Sequence, residues 1–367
     1  MFDRRLVQNF DWFILLILLL LAAASILNLY SATFPIREQG GGEVFIRHLY
    51  WYGLGFGIFF LMTTFNYLHL ERLAYPAYVI SVGLLVLVLF IGKVTSGSQR
   101  WLNLGPVGFQ PSELVKITLV LALAKFFGDK KEPTGYRLRD LWIPFALIVV
   151  PFILIVKEPD LGTALLLVLV GASVIFLAQI HWKSMLILIL WMMLLAPFVW
   201  CHLKPYQQQR ILTFLNPNMD PLGAGYHINQ SKIAIGSGML WGKGFLQGTQ
   251  TRLHFLPEQH TDFAFSVWAE EWGFMGSTFL LALYFLIILW GIYMARNSKD
   301  KFGSMLAIGI TSVIFWQVII NVGMVTGLLP VVGIPLVLFS YGGSSLVSTM
   351  GALGILMNIR MRRFMFQ

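Results

Sequence analysis

Ten apolar stretches, each long enough to cross a lipid bilayer as an α-helix, constrain the fold of this chain more than any other feature. A membrane-spanning helix needs about 20 mostly apolar residues. The fifth and sixth stretches are separated by a proline and three charged residues at 157–160 (KEPD), so we count two spans there rather than one. The stretches predict an all-α polytopic membrane protein with ten transmembrane helices in a single domain over 1–367. They cover approximately 12–33, 48–65, 74–92, 111–128, 141–157, 160–179, 184–202, 263–295, 304–326 and 337–358.

The composition excludes several other classes of protein. Hydrophobic residues make up 57% of the chain and charged residues 12%, whereas a soluble domain carries about 25% charged residues. A soluble globular enzyme is therefore excluded, and the spans leave no room for a conventional nucleotide-binding domain. Cys201 is the only cysteine, which excludes an intramolecular disulfide and a cysteine metal cluster. The first apolar stretch has no convincing cleavage site, so we expect a retained helix rather than a signal peptide.

The basic residues predict the orientation of the spans. The net charge is +9, and an excess of Lys and Arg marks short cytoplasmic loops, which face anionic lipid rather than nucleic acid. Most of the 26 basic residues fall on the inner side if the N-terminus is cytoplasmic. Ten spans then place both termini in the cytoplasm and a long loop, about 203–262, on the outer face between helices 7 and 8. An amphipathic stretch in that loop, 227–235, predicts a short interfacial helix.

The segment 110–116 (QPSELVK) predicts the start of the fourth span at the outer face, because proline suits the first turn of a helix. Glu113 and Lys116 are three residues apart and therefore share a face of that helix, and Arg100 lies just upstream. These residues fit either a partly cationic pocket that opens outward or a structural ion pair. The spacing alone favours the ion pair.

Two further outer segments bring acidic residues to the ends of spans. Asp160 follows the break described above, and its pattern favours a helix cap. The segment 258–262 (EQHTD) brings the Asp262 carboxylate to the membrane boundary with an acid and an imidazole nearby, as a general base requires. Simple capping of the next helix explains the same pattern equally well. We expect Glu270 and Glu271, about two turns further along, to pair with other spans, and a proton relay is the alternative.

The segment 327–345 contains two prolines followed by small residues, which is typical of a bent helix packed closely against its neighbours. The glycines at 236–244 lack the remaining residues of a phosphate-binding P-loop. Neither a His-Glu-x-x-His nor a Gly-x-Ser-x-Gly motif occurs in the sequence, so metalloprotease and serine-hydrolase chemistry have no support.

Basic residues also occur on the predicted outer face, against the general distribution. This pattern predicts an anionic ligand there, such as a lipid phosphate or pyrophosphate. Together with a base at Asp262, it indicates a membrane enzyme or a transporter that acts on an anionic lipid. Composition does not decide between the two. The basic residues concerned are Arg47, Arg100, Lys116, Arg210, Lys232, Lys243 and Arg252.

Five blocks of sequence resemble the SEDS family, the bacterial shape, elongation, division and sporulation proteins. They occur in the order found in that family and extend over the whole chain. The short N-terminal tail and the loop segment 220–238 are similar to the elongation branch of the family rather than the division branch. The blocks are 99–105 (QRWLNLG), 109–113 (FQPSE), 159–163 (PDLGT), 256–263 (LPEQHTDF) and 321–345, which contains GLLPVVGI and SYGGSS.

The resemblance implies a peptidoglycan glycosyltransferase that polymerises lipid II at the outer face of the bacterial cytoplasmic membrane during cell elongation. It also implies a complex with a class B penicillin-binding protein and other membrane proteins of the elongation machinery. Asp262 matches the essential acidic residue of the family, and Glu113 and Lys116 match polar residues of its outward cavity. The further substrate-binding residues that we expect are Arg47, Arg100, Gln110, Lys232, Glu258 and His260.

The implied reaction agrees with the residues. Without a nucleotide-sugar domain, the donor has to carry its own leaving group, and undecaprenyl pyrophosphate is one. Inversion at the donor sugar requires a base for the acceptor hydroxyl and stabilisation of the departing charge. We expect Asp262 to act on the acceptor 4-hydroxyl. Lys116, Arg47 and Arg100, with or without a divalent cation (Mg²⁺ or Mn²⁺), are expected to hold the pyrophosphate, and no organic cofactor is expected.

A lipid II flippase is the alternative function. A transporter is expected to place polar residues near the middle of the bilayer, accessible from both faces. Here the polar blocks concentrate at the outer ends of the predicted spans, which favours the enzyme.

Overall fold

The structure, a computed structural model, describes residues 8–34, 42–95, 98–104, 107–130, 135–202, 204–216, 224–253, 255–256 and 258–363. Helices dominate it, and each of the ten predicted stretches contains one. The helices are α1 (Trp12–Ala32), α2 (Glu43–Thr64), α3 (Tyr67–Ile91), α4 (Pro111–Asp129), α5 (Trp142–Lys157), α6 (Leu161–Leu177), α7 (Trp182–His202), α8 (Pro205–Leu215), α9 (Ala224–Ser237), α10 (Thr249–Arg252), α11 (Ala264–Asn297), α12 (Lys301–Val325) and α13 (Gly343–Arg362), with a 3₁₀ turn at Leu138–Leu141 before α5.

Six of the helices described are long and apolar enough to cross a membrane. They are α1, α2, α3, α5 with its preceding 3₁₀ turn, α11 and α12. Large apolar side chains remain exposed on the outer helices, for example Phe90 and Leu194. Such a surface is unfavourable in water but suits contact with lipid. The chain is therefore an integral membrane protein.

The buried centre is formed mainly by α4, α12 and α13, whose residues are enclosed along most of their length. Helix ends are fixed by polar caps, which satisfy backbone N–H groups that a helix leaves unpaired. Asp160 accepts from the N–H of Thr163 at 3.1 Å at the start of α6, as predicted. Asp300 accepts from the N–H of Gly303 at 2.8 Å at the start of α12.

A small antiparallel sheet corrects the all-α prediction. Its strands are β1 (Lys93–Thr95), β2 (Ser98–Leu104) and β3 (Val107–Phe109), in that order across the sheet. Strands β1 and β3 have three residues each, too few to show the alternation of apolar and polar residues that predicts a strand. The sheet lies between α3 and α4, and its central strand carries Arg100.

Helix α11 also differs from the single span predicted at 263–295, because it breaks at Gly273. The φ of 63° and ψ of −158° at this residue are not helical. Backbone from the outer loop fills the break and satisfies the exposed groups, as irregular backbone inside a membrane protein requires. The four hydrogen bonds are Lys243 N–H to Glu270 O (3.0 Å), Gly244 N–H to Glu271 O (3.0 Å), Phe274 N–H to Met239 O (2.8 Å) and Met275 N–H to Leu240 O (3.1 Å).

The partners of the two glutamates before the break follow from this arrangement. Glu271 accepts a hydrogen bond from Ser31 of α1, another span, as expected. Glu270 instead pairs with the outer loop, where its Oε1 lies 2.6 Å from Lys243 Nζ and accepts from the N–H of Thr249 at 2.9 Å. The prediction for Glu270 was wrong because the loop segment 238–252 packs against the break in α11.

The segment 326–342 is an irregular chain rather than the predicted bent helix, and α13 begins at Gly343 rather than at 337. Pro330 and Pro335 lack N–H groups, and Gly327 and Gly333 have positive φ values of 75° and 76°, so a helix cannot form. Side chains from four helices bind its carbonyl groups. The pairs are Asn321 to Ile334 O, Tyr284 to Val337 O, Tyr52 to Leu338 O and Ser25 to Phe339 O.

Candidate active site

Asp262 lies immediately before α11, where the outer loop meets the irregular segment 326–342. Asn321, fully buried on α12, donates from Nδ2 to Asp262 O at 2.9 Å and to Ile334 O at 2.8 Å. The Asp262 carboxylate lies beside Gly333: a β-carbon at that glycine would stand 3.4 Å from Asp262 Oδ2. Helix α12 and the irregular segment therefore hold the backbone that carries this carboxylate.

The surroundings of Asp262 make its carboxylate more basic than usual. Burial raises its pKa from 3.8 to about 6, and the negative charges of Glu258 and Asp160 act in the same direction. Arg100 and Arg210 oppose the shift. A carboxylate with a pKa of about 6 is still mostly ionised at neutral pH and accepts a proton more readily than an exposed aspartate. This is the property that a general base needs.

Glu258 and His260 flank Asp262 on the same turn. Glu258 is exposed, and its Oε2 accepts from Thr261 Oγ1 at 3.0 Å. The carbonyl of His260 accepts from the N–H of Tyr341 at 2.9 Å, which joins this turn to the start of α13. Burial lowers the pKa of His260, with Glu258 opposing the shift. A lowered pKa makes the imidazole neutral at pH 7.

Arg100 connects the sheet to the turn between α5 and α6. Its guanidinium donates to Pro159 O at 2.6 Å and lies 3.6 Å from Asp160 Oδ2, with 27% of the side chain exposed. Glu158 in this turn is buried, and burial together with the charge of Asp160 raises its pKa to about 8. Asp160 in this turn therefore caps α6, as predicted from the sequence. The charges of Asp160 and Arg100 also act on the pKa of Asp262.

Glu113 and Lys116 form a buried ion pair with an N–O distance of 2.7 Å. The pair faces α13, because Ser348 Oγ lies 3.4 Å from Glu113 Oε2. Gln110, immediately before α4, contacts α13 through its N–H, which lies 3.4 Å from Ser344 Oγ. The ion pair predicted from the spacing is therefore present, and it lies between α4 and the first turns of α13.

Arg47 and Lys232 lie at the edges of the site. Arg47 pairs with Glu43 at 2.7 Å, and its side chain is 62% exposed. Its charge lowers the pKa of Tyr341, which burial raises. The side chain of Lys232 lies across Gly327, where a β-carbon would come within 2.1 Å of Lys232 Cε.

The structure thus places four of the predicted site residues around one turn: Asp262, Glu258, His260 and Arg100. Arg47 acts electrostatically on Tyr341, whose N–H donates to His260 O in that turn. Glu113 and Lys116 lie against α13, while Lys232 lies beside the irregular segment. The sequence interpretation missed the roles of Asp160, Arg210, Asn321 and Tyr341. Asn321 carried a usable signal, because a buried amide within an apolar span requires partners.

The described residues contain no group of three or more His, Cys, Asp or Glu side chains that could hold a metal ion. Two residues of the sequence blocks, Gly105 and Pro257, and the first part of the loop segment, 220–223, lie outside the described residues.

Comparison with known proteins agrees with the sequence blocks. The sequence profile of the FtsW/RodA/SpoVE family, described as cell cycle protein, matches residues 11–364. The peptidoglycan glycosyltransferase MrdB of Escherichia coli K12 is 43% identical over 97% of this chain and 95% of its own length. Stage V sporulation protein E of Bacillus subtilis is 37% identical over 95% of this chain and 96% of its own length.

Solved structures show the same fold. A chain from a peptidoglycan synthase complex that coordinates polymerisation and crosslinking superposes with a TM-score of 0.83 at 34% identity, over 97% of this chain and 98% of that one. The rod shape determining protein RodA of Thermus thermophilus superposes with a TM-score of 0.72 at 31% identity, with the same coverage. This chain belongs to the FtsW/RodA/SpoVE family of cell cycle proteins, the SEDS family that its sequence blocks resemble.

Proposed function

We propose that this protein is a peptidoglycan glycosyltransferase that polymerises lipid II into glycan strands at the outer face of the bacterial cytoplasmic membrane during cell elongation. The single observation that carries the proposal is the half-buried Asp262 carboxylate, with its raised pKa and with Arg100 and Arg210 nearby. The activity named for the E. coli relative supports the reaction class.

The proposed orientation has ten membrane spans with both termini in the cytoplasm. Six helices meet the length and hydropathy expected of a span. We assign α4, α6, α7 and α13 as the remaining four, because each occupies one of the predicted apolar stretches. The loop containing α8, α9 and α10 then lies outside the cell, and Asp262 lies where this loop re-enters the membrane.

In the proposed reaction, the 4-hydroxyl of the acceptor GlcNAc attacks C1 of the donor MurNAc. The hydroxyl proton passes to the Asp262 carboxylate as the new glycosidic bond forms. The bond from C1 to the pyrophosphate oxygen breaks, and its electron pair leaves with undecaprenyl pyrophosphate. Attack opposite the leaving group inverts the configuration at C1, so one base on the acceptor side is enough.

The basic residues around the site differ in how readily they reach a pyrophosphate. Arg47 and Arg100 have partly exposed side chains and are the candidates for direct contact. Lys116 is buried in its pair with Glu113, so it reaches a phosphate only if that ion pair opens. A divalent cation, Mg²⁺ or Mn²⁺, remains a prediction: polymerisation measured in EDTA and again with either ion restored tests it.

We also propose a complex with a class B penicillin-binding protein, the transpeptidase that cross-links the new strand, and with other membrane proteins of the elongation machinery. The similar chain from a peptidoglycan synthase complex supports this partner class. Co-purification of this chain with such a transpeptidase from the same cells tests the assignment.

Polymerisation in detergent separates the enzyme from the flippase. The purified protein and its transpeptidase partner are mixed with lipid II in detergent micelles, where no bilayer has to be crossed. The proposal predicts glycan polymer that is lost in Asp262→Ala, whereas Asp129→Asn, an exposed carboxylate at the other end of α4, retains it. A wild-type complex that forms no polymer, yet moves lipid II across vesicles, would establish the flippase instead.

A further inference from the structure

A cavity lies at the end of the molecule opposite Asp262. Its volume is about 220 Å³, and it is lined by Asn66, Tyr67, Leu68, Lys299, Asp300 and Arg362. These residues belong to the start of α3, the turn between α11 and α12, and the end of α13. Helix α12 separates the cavity from the active site: its 25 residues span about 37 Å, with Asn321 near the far end.

Two cationic side chains line this cavity, one from each of two elements. Lys299 is exposed on the turn between α11 and α12, and Arg362 is half-buried in the last turn of α13. Asp300 is the acidic residue in the lining, and its carboxylate is already engaged. It accepts from the N–H of Gly303 at 2.8 Å and from the hydroxyl of Tyr67. These neutral donors leave the Asp300 charge in place, but the two cations outnumber it, so the lining keeps a net positive charge.

The surrounding segments strengthen that charge. Two further basic residues flank the cavity, so an anion there is stabilised by more than its direct contacts. They are Lys301 at the start of α12 and Arg363 directly after α13, whereas Arg360 is paired with Asp11.

The walls of the cavity are fixed by hydrogen bonds that join α13 to the turn between α2 and α3. Asn358 is fully buried, donates to Thr63 O at 2.7 Å and accepts from the N–H of Tyr67 at 3.1 Å. Arg362 Nη2 donates to Thr64 O at 3.0 Å. A site whose walls are held in place loses little entropy when a ligand binds.

We infer that this cavity binds a phosphate group, carried either by an anionic lipid of the inner leaflet or by a free phosphate ion. Basic pockets between helices at the cytoplasmic end of a membrane protein recognise lipid headgroups in this way. In the proposed orientation the cavity faces the cytoplasm. The inference does not depend on glycosyltransferase chemistry, so its test is independent of Asp262.

Native mass spectrometry of the full-length protein in detergent measures the binding. The probes are phosphatidylglycerol, diacylglycerol without a phosphate, and inorganic phosphate as a competitor. We expect phosphatidylglycerol to bind and diacylglycerol not to bind. Lys299→Gln should weaken binding about fivefold, and Lys299→Gln with Arg362→Gln about thirtyfold, because each basic residue contributes about one such step.

Two variants guard against nonspecific effects. Arg296→Gln removes an exposed charge from the same end of α11 but from outside the cavity lining, and it should change the affinity less than about twofold. Arg362→Lys, made in the protein that keeps Lys299, preserves the positive charge and should retain binding. Displacement by millimolar inorganic phosphate assigns the site to free phosphate, and failure of displacement assigns it to the lipid. Binding that is unchanged in Lys299→Gln, or equal for diacylglycerol, overturns the inference.

Discussion

At the scale of single residues, the chemistry of the proposed site depends on the position and the pKa of one carboxylate, that of Asp262. Asp262 is half-buried, and Glu258 and Asp160 add negative charge to its surroundings, so its pKa rises to about 6. Asn321 holds its backbone from α12 through a hydrogen bond of 2.9 Å. The residue is thereby both positioned and made more basic, without being neutralised at physiological pH.

The pH dependence of turnover follows from this pKa. Because a base has to be ionised to accept a proton, we expect the polymerisation rate to rise through about pH 6 and then to level. Glu258→Gln removes a negative charge that raises the pKa, so it should move this acid limb to lower pH. Rates measured across the acid range for wild type, Glu258→Gln and Asp129→Asn test the shift. An acid limb at the same pH in all three proteins contradicts it.

At the scale of secondary-structure elements, irregular backbone shapes the site. Helix α11 breaks at Gly273, and the segment 326–342 crosses the buried interior without a continuous series of helical hydrogen bonds. In both places other parts of the chain supply the missing partners, either loop backbone or side chains such as Tyr52 and Ser25. These contacts let an irregular chain lie inside the helical bundle at an acceptable free energy.

The close contact between the outer loop and the break predicts a difference between two neighbouring glycines. A β-carbon at Gly242 would lie 2.0 Å from Glu271 O, whereas the nearest atom to one at Gly244 would be 3.7 Å away. Both residues have positive φ, so Gly244→Ala should cost about 1–2 kcal/mol from backbone strain alone. Gly242→Ala should cost about 1–3 kcal/mol more, because the methyl group overlaps the carbonyl.

Thermal unfolding in detergent measures this difference. The midpoint of Gly242→Ala should lie clearly below that of Gly244→Ala, with wild type above both. Equal midpoints for the two variants would mean that the loop does not pack into the break in α11.

The same elements show how far sequence reasoning reaches. Apolar length alone placed helices in all ten predicted stretches, and the proline and charges at 157–160 correctly predicted the turn between α5 and α6. The break at Gly273 was missed because α11 is apolar on both sides of it, and its cause lies in a distant loop. The spacing of Glu113 and Lys116 predicted their ion pair, whereas the effect of Asp160 on Asp262 depends on contacts between segments about a hundred residues apart in sequence.

At the scale of the whole molecule, the end of the bundle that holds Asp262 carries charge that does not favour folding. Glu158 is buried in the turn between α5 and α6, and burial together with the charge of Asp160 raises its pKa from 4.5 to about 8. The folded state therefore binds its proton more tightly than the unfolded state does. The resulting contribution to stability is complete below the unfolded pKa and is lost as pH rises towards 8.

Glu158→Gln tests that statement, because glutamine keeps the shape of the protonated side chain and does not ionise. The thermal midpoint of the variant, relative to wild type, should increase as pH is raised from about 5 to 8. Unfolding midpoints of both proteins in one detergent, over a series of buffers, provide the comparison. A difference that stays constant over this range would show that Glu158 does not titrate in the fold as described.

The central claim is that Asp262 is the base of a lipid II polymerase, and the most direct test is one rate measurement. The initial rate of lipid II polymerisation is compared for wild type, Asp262→Asn and Asp129→Asn, each assembled with the class B penicillin-binding protein. Loss of a general base should lower the rate of Asp262→Asn by about 10²–10⁴, while Asp129→Asn stays near wild type. An Asp262→Asn complex that polymerises at close to the wild-type rate would contradict the assignment.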